Sequence, residues 1–279
     1  MITSPHNPRI KQVVKLRERR HREREGLMLV EGYEELSLAL ASGARPQTLF
    51  VCPELVRNTQ DAIRIKEHLS NSTEVIEVNI PVFEKIAYRE NPDGWLAVIP
   101  IVRRRLSDLT AVLNALRSRA SSRHPLKALL VVAEAVEKPG NLGAILRSAD
   151  AAGAHGLIVC DPVTDAYNPN VVRASKGTLF SVPVVEASTP EALPWLRGHA
   201  ITIVAATPQA QTLYTDADLR GPVAIALGAE KEGLSRAWLE GADAVVRIPM
   251  LGRVNSLNVA MATALLLYEA VRQRQKAVE

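Results

Sequence analysis

Short apolar runs and segments of helical period alternate along the first hundred residues. Leu27-Met28-Leu29-Val30 reads as a buried strand, Glu34 to Ser42 as a helix stopped by Gly43, and Thr48 to Cys52 as a strand ended by Pro53. Asp61 to Leu69 has helical period, Glu74 to Val78 reads as a strand and Val82 to Tyr88 as a helix. The turn Asn91-Pro92-Asp93-Gly94 leads into a strand from Trp95 to Ile101. Ahead of these, residues 7–25 predict one amphipathic helix. Ile10, Val13, Val14 and Arg17 share a stripe, and basic residues cover most of the remainder.

The pattern changes after residue 101. Residues 118–125 have no apolar periodicity, which places a boundary there: a first domain over 1–105, a linker over 106–127 and a second domain over 128–279. The second domain opens with a continuous apolar strand, Ala128 to Ala133. Further runs follow at 157–160, 182–185, 201–205, 223–227 and 245–248, with helical patterns between several of them. Strands apolar on both faces and alternating with helices predict an α/β fold with a mostly parallel, helix-covered sheet. Ligands bind beyond the carboxyl ends of such strands. The loops after Ala133, Ala205, Leu227 and Ile248 are therefore where chemistry belongs.

Charge adds a partner. Residues 1–25 carry eight Lys or Arg against three Asp or Glu, while the 279-residue chain nets only +4. A second basic run (Arg103, Arg104, Arg105, Arg117, Arg119, Arg123 and Lys127, against Asp108 alone) lies in 101–127. Two basic segments on a near-neutral body point to a polyanion such as nucleic acid, the competing reading being solvated surface. Two cysteines, Cys52 and Cys160, make no disulfide framework and suit a reducing compartment. With no apolar signal core and no run long enough to span a bilayer, a soluble cytoplasmic protein is expected. The six histidines are scattered without metal-ligand spacing, so no metal is expected. There is no dinucleotide fingerprint, no Walker A loop and no G-x-S-x-G elbow.

Three loops carry the polar groups. In the first, Glu137 to Arg147, Pro139-Gly140 makes the turn and Asn141 is an N-cap candidate for a helix running to Gly153, with Arg147 in its second turn. In the second, a buried strand ends in Gly228-Ala229-Glu230-Lys231-Glu232-Gly233, whose glycines permit close backbone approach to a ligand. In the third, Ile248 to Ala260, the residues Asn255, Ser256 and Asn258 crowd the start of a long apolar helix. Three capping-type residues in four positions exceed what one helix end needs.

Together these loops resemble the three motifs of the SpoU family of RNA ribose 2′-O-methyltransferases, within the SPOUT superfamily. The matching residues are Asn141 and Arg147; Leu227, Gly228, Glu230 and Gly233; and Ile248, Pro249, Met250, Gly252, Ser256, Leu257, Asn258 and Val259. Val172 to Gly177, with Phe180, is similar to a further family segment. The resemblance covers about residues 128–274. Residues 1–105, with Glu31-Gly32 and the 91–94 turn, resemble the L30e-like RNA-binding domain that precedes the catalytic domain in many members. One departure is Lys138, where relatives often have Asp or Asn before the proline.

The resemblance implies a C-terminal trefoil knot, a homodimer and S-adenosylmethionine as cofactor. It implies binding of that cofactor by Thr207, Gly228, Ile248, Met250 and Leu257, and a catalytic set of Asn141, Arg147, Glu230, Ser256 and Asn258. Arg147 is expected to stabilise a developing alkoxide, since a guanidinium keeps its proton to beyond about pH 12 and is no base. Asn141, Ser256 and Asn258 are expected to orient Arg147, the ribose and the loops, and Glu230 to fix the knot or Arg147. The implied activity is 2′-O-methylation of structured RNA, with 23S ribosomal RNA ahead of transfer RNA. A non-catalytic RNA-binding or ribosome-assembly protein on the same fold is the alternative of another class. The apolar face of the last helix (Val259, Ala260, Ala264, Leu265, Tyr268, Val271) fits a core or a dimer seam.

Overall fold

The computed structural model describes residues 1–120 and 127–276, and helices and strands are numbered along the chain. The chain forms two compact units. The first comprises Met1–Val102 together with Asp165–Ser181. Its strands β1 (Leu27–Glu31), β2 (Thr48–Val51), β3 (Glu74–Glu77) and β4 (Trp95–Pro100) form one sheet in the order β1-β4-β2-β3. β4 is antiparallel to β1 and β2, and β2 is parallel to β3. Around it lie α1 (Pro8–Lys15), α2 (Arg19–Glu25), α3 (Tyr33–Ala41), α4 (Thr59–His68) and α5 (Ile80–Ile86), joined from later in the chain by α8 (Pro169–Ala174). Ile10, Val13, Leu29, Phe50, Val82, Phe83 and Leu96 meet in its core.

The single helix expected over 7–25 is broken in two. The Arg22 guanidinium, 1% exposed, donates through Nη1 to the carbonyls of Leu16 (2.9 Å) and Arg17 (2.6 Å). These are carbonyls a continuous helix would have to satisfy itself. Through Nε and Nη2 the same group holds Asp165 Oδ2 at 3.0 and 2.5 Å, which ties the late segment into this unit. The basic stretch is also less free than its composition suggests. Arg9 pairs with Glu74, Arg19 with Glu23 and Arg24 with Glu25, and Arg17 donates to the carbonyls of Lys85 and Ala87 at the end of α5. Lys11, Lys15 and Arg20 stay exposed, and among the described residues they have no ion pair.

Glu31-Gly32 and the 91–94 turn brace the same sheet. The Glu31 carboxylate accepts the Tyr88 N–H at 2.7 Å, and the Tyr88 hydroxyl accepts the Glu31 N–H at 3.0 Å. Asp93 accepts the Tyr33 N–H at 2.8 Å. Gly32 has φ +108°, and a Cβ there would strike the Glu35 carboxylate and the Arg89 guanidinium, so no other residue fits without rearrangement.

The second unit comprises Arg103–Thr164 and Val182–Glu279. Residues 106–119, expected within a linker, form α6 (Leu106–Arg119) and bury Leu109 and Leu113 in this unit's core. Part of the expected boundary at 118–125 lies outside the described residues. The strands are β5 (Leu129–Glu134), β6 (Gly156–Cys160), β7 (Val184–Ala187), β8 (Thr202–Ala206), β9 (Thr212–Leu213), β10 (Val223–Leu227) and β11 (Ala244–Arg247). The helices are α7 (Pro139–Ala151), α9 (Thr189–Gly198), α10 (Arg236–Gly241) and α11 (Val259–Lys276). The seven strands pair in the order β7-β6-β5-β10-β8-β11-β9, all parallel. β6 and β7 extend the sheet from β5 to one side, whereas β8, β10 and β11 lie on the other. The direction of winding therefore reverses beside β5, and such a reversal opens a crevice at the carboxyl ends of the strands.

The opposite edge is held by α11. Arg274 donates to the carbonyls of Lys127, Ala128, Leu219 and Gly221, and burial pulls its pKa down to about 10. His155 Nδ1 accepts the Leu129 N–H at 3.1 Å, which requires that nitrogen to be unprotonated. Burial, and then the charge of Arg274, hold the His155 pKa below its ordinary value.

Asp165→Ala leaves the Arg22 guanidinium buried without its counter-charge, and urea denaturation should show a loss of about 3–5 kcal/mol. For His155, the unfolded state takes its proton near pH 6.5 while the folded state resists until lower pH. Its stabilising contribution is whole above pH 6.5 and is lost as pH falls below it. The melting temperature should therefore drop more steeply between pH 7 and about pH 5 in the wild-type chain than in His155→Gln.

Candidate active site

The loops after β5, β10 and β11 leave one edge of the parallel sheet, as their strand directions require. Beyond the ends of β8, β10 and β11 lies a cavity of about 910 Å³. Its walls include Thr207 and Gln209 after β8, residues 227–234 after β10, and Ile248, Met250, Asn255, Ser256 and Leu257 after β11. All five residues expected to hold a cofactor (Thr207, Gly228, Ile248, Met250 and Leu257) line it, together with Glu230 and Ser256. Asn141, Arg147 and Asn258 do not.

The second loop doubles back on itself. The Gly233 N–H donates to the Ala229 carbonyl at 2.9 Å, and Gly233 has φ +70°. A Cβ on Gly228 would overlap the Gly233 carbonyl and the Leu234 nitrogen, so glycine is required at the crossing. Residues 230–232 project as a charged tip. The Glu230 side chain keeps 25% of its surface exposed and pairs with Lys138, which stands at the start of α7. The alternative pairing with Arg147 does not form.

Asn141 is not the N-cap of α7. Pro139, whose ring presets helical φ, starts the helix with Lys138 as the cap, so Asn141 falls in the first turn. Its side chain is thereby released for a contact across the chain. Asn258 Nδ2 donates to Asn141 Oδ1 at 3.1 Å, while Asn258 Oδ1 accepts the Ala260 N–H at 3.0 Å. Asn258 thus caps α11 and joins the third loop to the first at once. Asn141 Nδ2 is buried and has no acceptor among the described residues. Arg147 lies six residues farther along α7, about 9 Å along the axis and about a third of a turn around it from Asn141. It is exposed and, among the described residues, has no hydrogen bond or ion pair.

Three features escaped the sequence reading. Glu134, the buried last residue of β5, accepts the Ser235 N–H at 2.7 Å and so pins the exit of the second loop. Beside it Thr189 donates to Asp161 Oδ2 at 2.6 Å and accepts the Trp238 indole N–H at 2.9 Å. A carboxylate closing an apolar strand at its carboxyl end was the available signal. Gln209, which accepts the Thr207 hydroxyl, and the Lys138–Glu230 pair had no local signature.

Residues 128–268 match the SpoU rRNA Methylase family, and residues 7–97 match the MRM3-like substrate binding domain. The 23S rRNA (uridine(2479)-2′-O)-methyltransferase of Streptomyces viridochromogenes is 35% identical, over 92% of this chain and 86% of that protein. The 23S rRNA (guanosine(2553)-2′-O)-methyltransferase RlmP of Bacillus subtilis is 28% identical, over 96% of this chain and 97% of its own length. The crystal structure of the SpoU methyltransferase AviRb of Streptomyces viridochromogenes, in complex with AdoMet, superposes with a TM-score of 0.83 at 33% identity. It covers 97% of this chain and 99% of AviRb.

Proposed function

Because the chain belongs to the SpoU rRNA methylase family, we infer that it transfers a methyl group from S-adenosylmethionine to a ribose 2′-hydroxyl of 23S ribosomal RNA. The observation that carries this reading is a cavity at the carboxyl edge of the sheet, walled by the loops after β8, β10 and β11, with the loop after β5 tied to the last of these by the Asn258–Asn141 hydrogen bond. The cavity fits the donor on its own terms. About 910 Å³ lies within the ~300–1,000 Å³ usual for small-ligand sites. Leu227, Ile248, Met250 and Leu257 offer apolar walls to a flat base, Thr207 and Gln209 offer polar groups, and Glu230 supplies a negative charge suited to a cationic ligand.

When bound, S-adenosylmethionine supplies a methyl on a positively charged sulfur that departs as a neutral thioether. The chain's own residues have the harder task of making a ribose hydroxyl attack in line. Its proton leaves to a base or to water. A guanidinium stays charged at neutral pH and is no proton acceptor, so we assign Arg147 the developing alkoxide and the adjacent phosphate rather than the proton. Its exposure, with no partner among the described residues, leaves its donors free for that. Asn141 presents an unused donor, Ser256 stands in the cavity wall, and Asn258 holds the first and third loops in register. The trefoil crossing that the family fold implies would keep these loops from separating.

RNA docking falls to the first unit, where Lys11, Lys15 and Arg20 near the N-terminus are exposed and without an ion pair among the described residues, and the cytoplasm is the setting we propose. A second copy is the proposed occupant of the outer face of α11. There Met261, Leu265 and Tyr268 recur at helical spacing with 63%, 42% and 51% of their surfaces exposed.

Arg147→Ala should lower tritiated-methyl transfer to unmodified 23S rRNA by about a hundredfold or more, with donor affinity by calorimetry unchanged. Near wild-type transfer would remove Arg147 from the mechanism. Transfer RNA offered in parallel, followed by mapping of the labelled nucleotide, decides the substrate. A chain that binds donor and RNA but labels neither RNA would be the non-catalytic alternative. Leu265→Asp should convert a dimer to a monomer in sedimentation, and a wild-type monomer would refute the proposed seam.

A further inference from the structure

The tip of the second loop is secured at one point. Its residues Glu230, Lys231 and Glu232 are all charged and all line the cavity. Among the described residues, the tip makes one polar side-chain contact with the remainder of the unit, the ion pair from Glu230 to Lys138, 92 residues away in sequence. The two partners are unequal. The Lys138 backbone is fixed, because its carbonyl accepts the N–H groups of Asn141 (3.0 Å) and Leu142 (3.2 Å) and Pro139 follows it at the start of α7. Glu230 sits on a loop whose own closure stops at the Ala229–Gly233 bond. A rigid post therefore holds a movable tip. The ammonium also offsets a local excess of carboxylates, since Glu137 adjoins it in sequence and acts on it electrostatically alongside Glu230.

We propose that Lys138 is a positioning residue for the methyl donor: it holds Glu230, and with it the tip of the second loop, in the orientation that closes one wall of the donor cavity. The proposal rests on the reading of that cavity as the S-adenosylmethionine site. Lys138 itself does not line the cavity and acts through Glu230. Ordering the tip before the donor arrives spares binding the entropy of ordering it afterwards. An acidic residue at 138 could not do this, because it would repel the carboxylate it faces.

The test is calorimetric titration of the full chain with S-adenosylmethionine, with melting curves confirming that each variant is folded. Lys138→Ala should weaken binding about three- to fivefold, as suits an exposed ion pair, and Lys138→Arg should restore it. The double variant K138A/E230A should bind no more weakly than E230A alone, because the lysine has nothing left to hold. Raising the salt concentration should weaken wild-type binding more steeply than it weakens binding to Lys138→Ala, because only the wild-type chain also loses the screened Lys138–Glu230 pair. Wild-type affinity in Lys138→Ala, or losses that add in the double variant, would overturn the role of Lys138 while leaving the donor site intact. A wild-type chain that gives no binding would instead overturn the donor reading, and this proposal with it.

Discussion

A parallel sheet commits every strand to end at the same edge, and the second unit is organised by that commitment. Each of its seven strands runs in one direction, and β10 enters between β5 and β8 although 88 residues separate its first residue from the end of β5. The loops that follow β5, β10 and β11 are thereby delivered to one place from three distant stretches of chain. The chemistry needs no long lever arm, because the sheet has already done the gathering. What remains is to fix the loops against each other. Short polar contacts do so: Asn141 with Asn258, Lys138 with Glu230, and Glu134 with the Ser235 N–H.

Charge is used differently in the two units. In the first, most of the arginines near the N-terminus serve the fold. Arg22 is enclosed and holds both a carboxylate and two carbonyls, Arg17 closes the end of α5, and Arg9 reaches β3. A positive composition there overstates the field available to a polyanion. In the second unit Arg147 is the reverse case, a cation exposed on a helix and spent on no partner among the described residues. Isolation of that kind costs the fold nothing and leaves all its donors directed outward.

Much of this was legible in the residues. The apolar runs at 128–133, 223–227 and 245–248 became β5, β10 and β11 within a residue or two, because strands buried on both faces admit little else. The five candidate cofactor residues line one cavity because each lies just past such a strand or inside its loop. What was not legible depended on distant partners. The break between α1 and α2 is made by Arg22, whose burial requires an aspartate 143 residues away. α6 was hidden because its buried stripe is carried by few residues, Leu109 and Leu113 foremost, within a basic segment. Asn141 has the sequence of a cap and the position of a cross-link, a distinction set by the proline two residues earlier.

The union of Arg22 with Asp165 has a bearing on how the chain emerges from the ribosome. The first unit draws its last helix from a point roughly sixty residues beyond its main body. At about 5–20 residues per second, several seconds of translation separate the two. Throughout that interval a guanidinium meant for the interior has no aspartate to receive it, and β1 lacks the helix that packs on it. The nascent N-terminal portion is thus held short of completion until part of the downstream region has been made, so the two units cannot mature strictly one after the other.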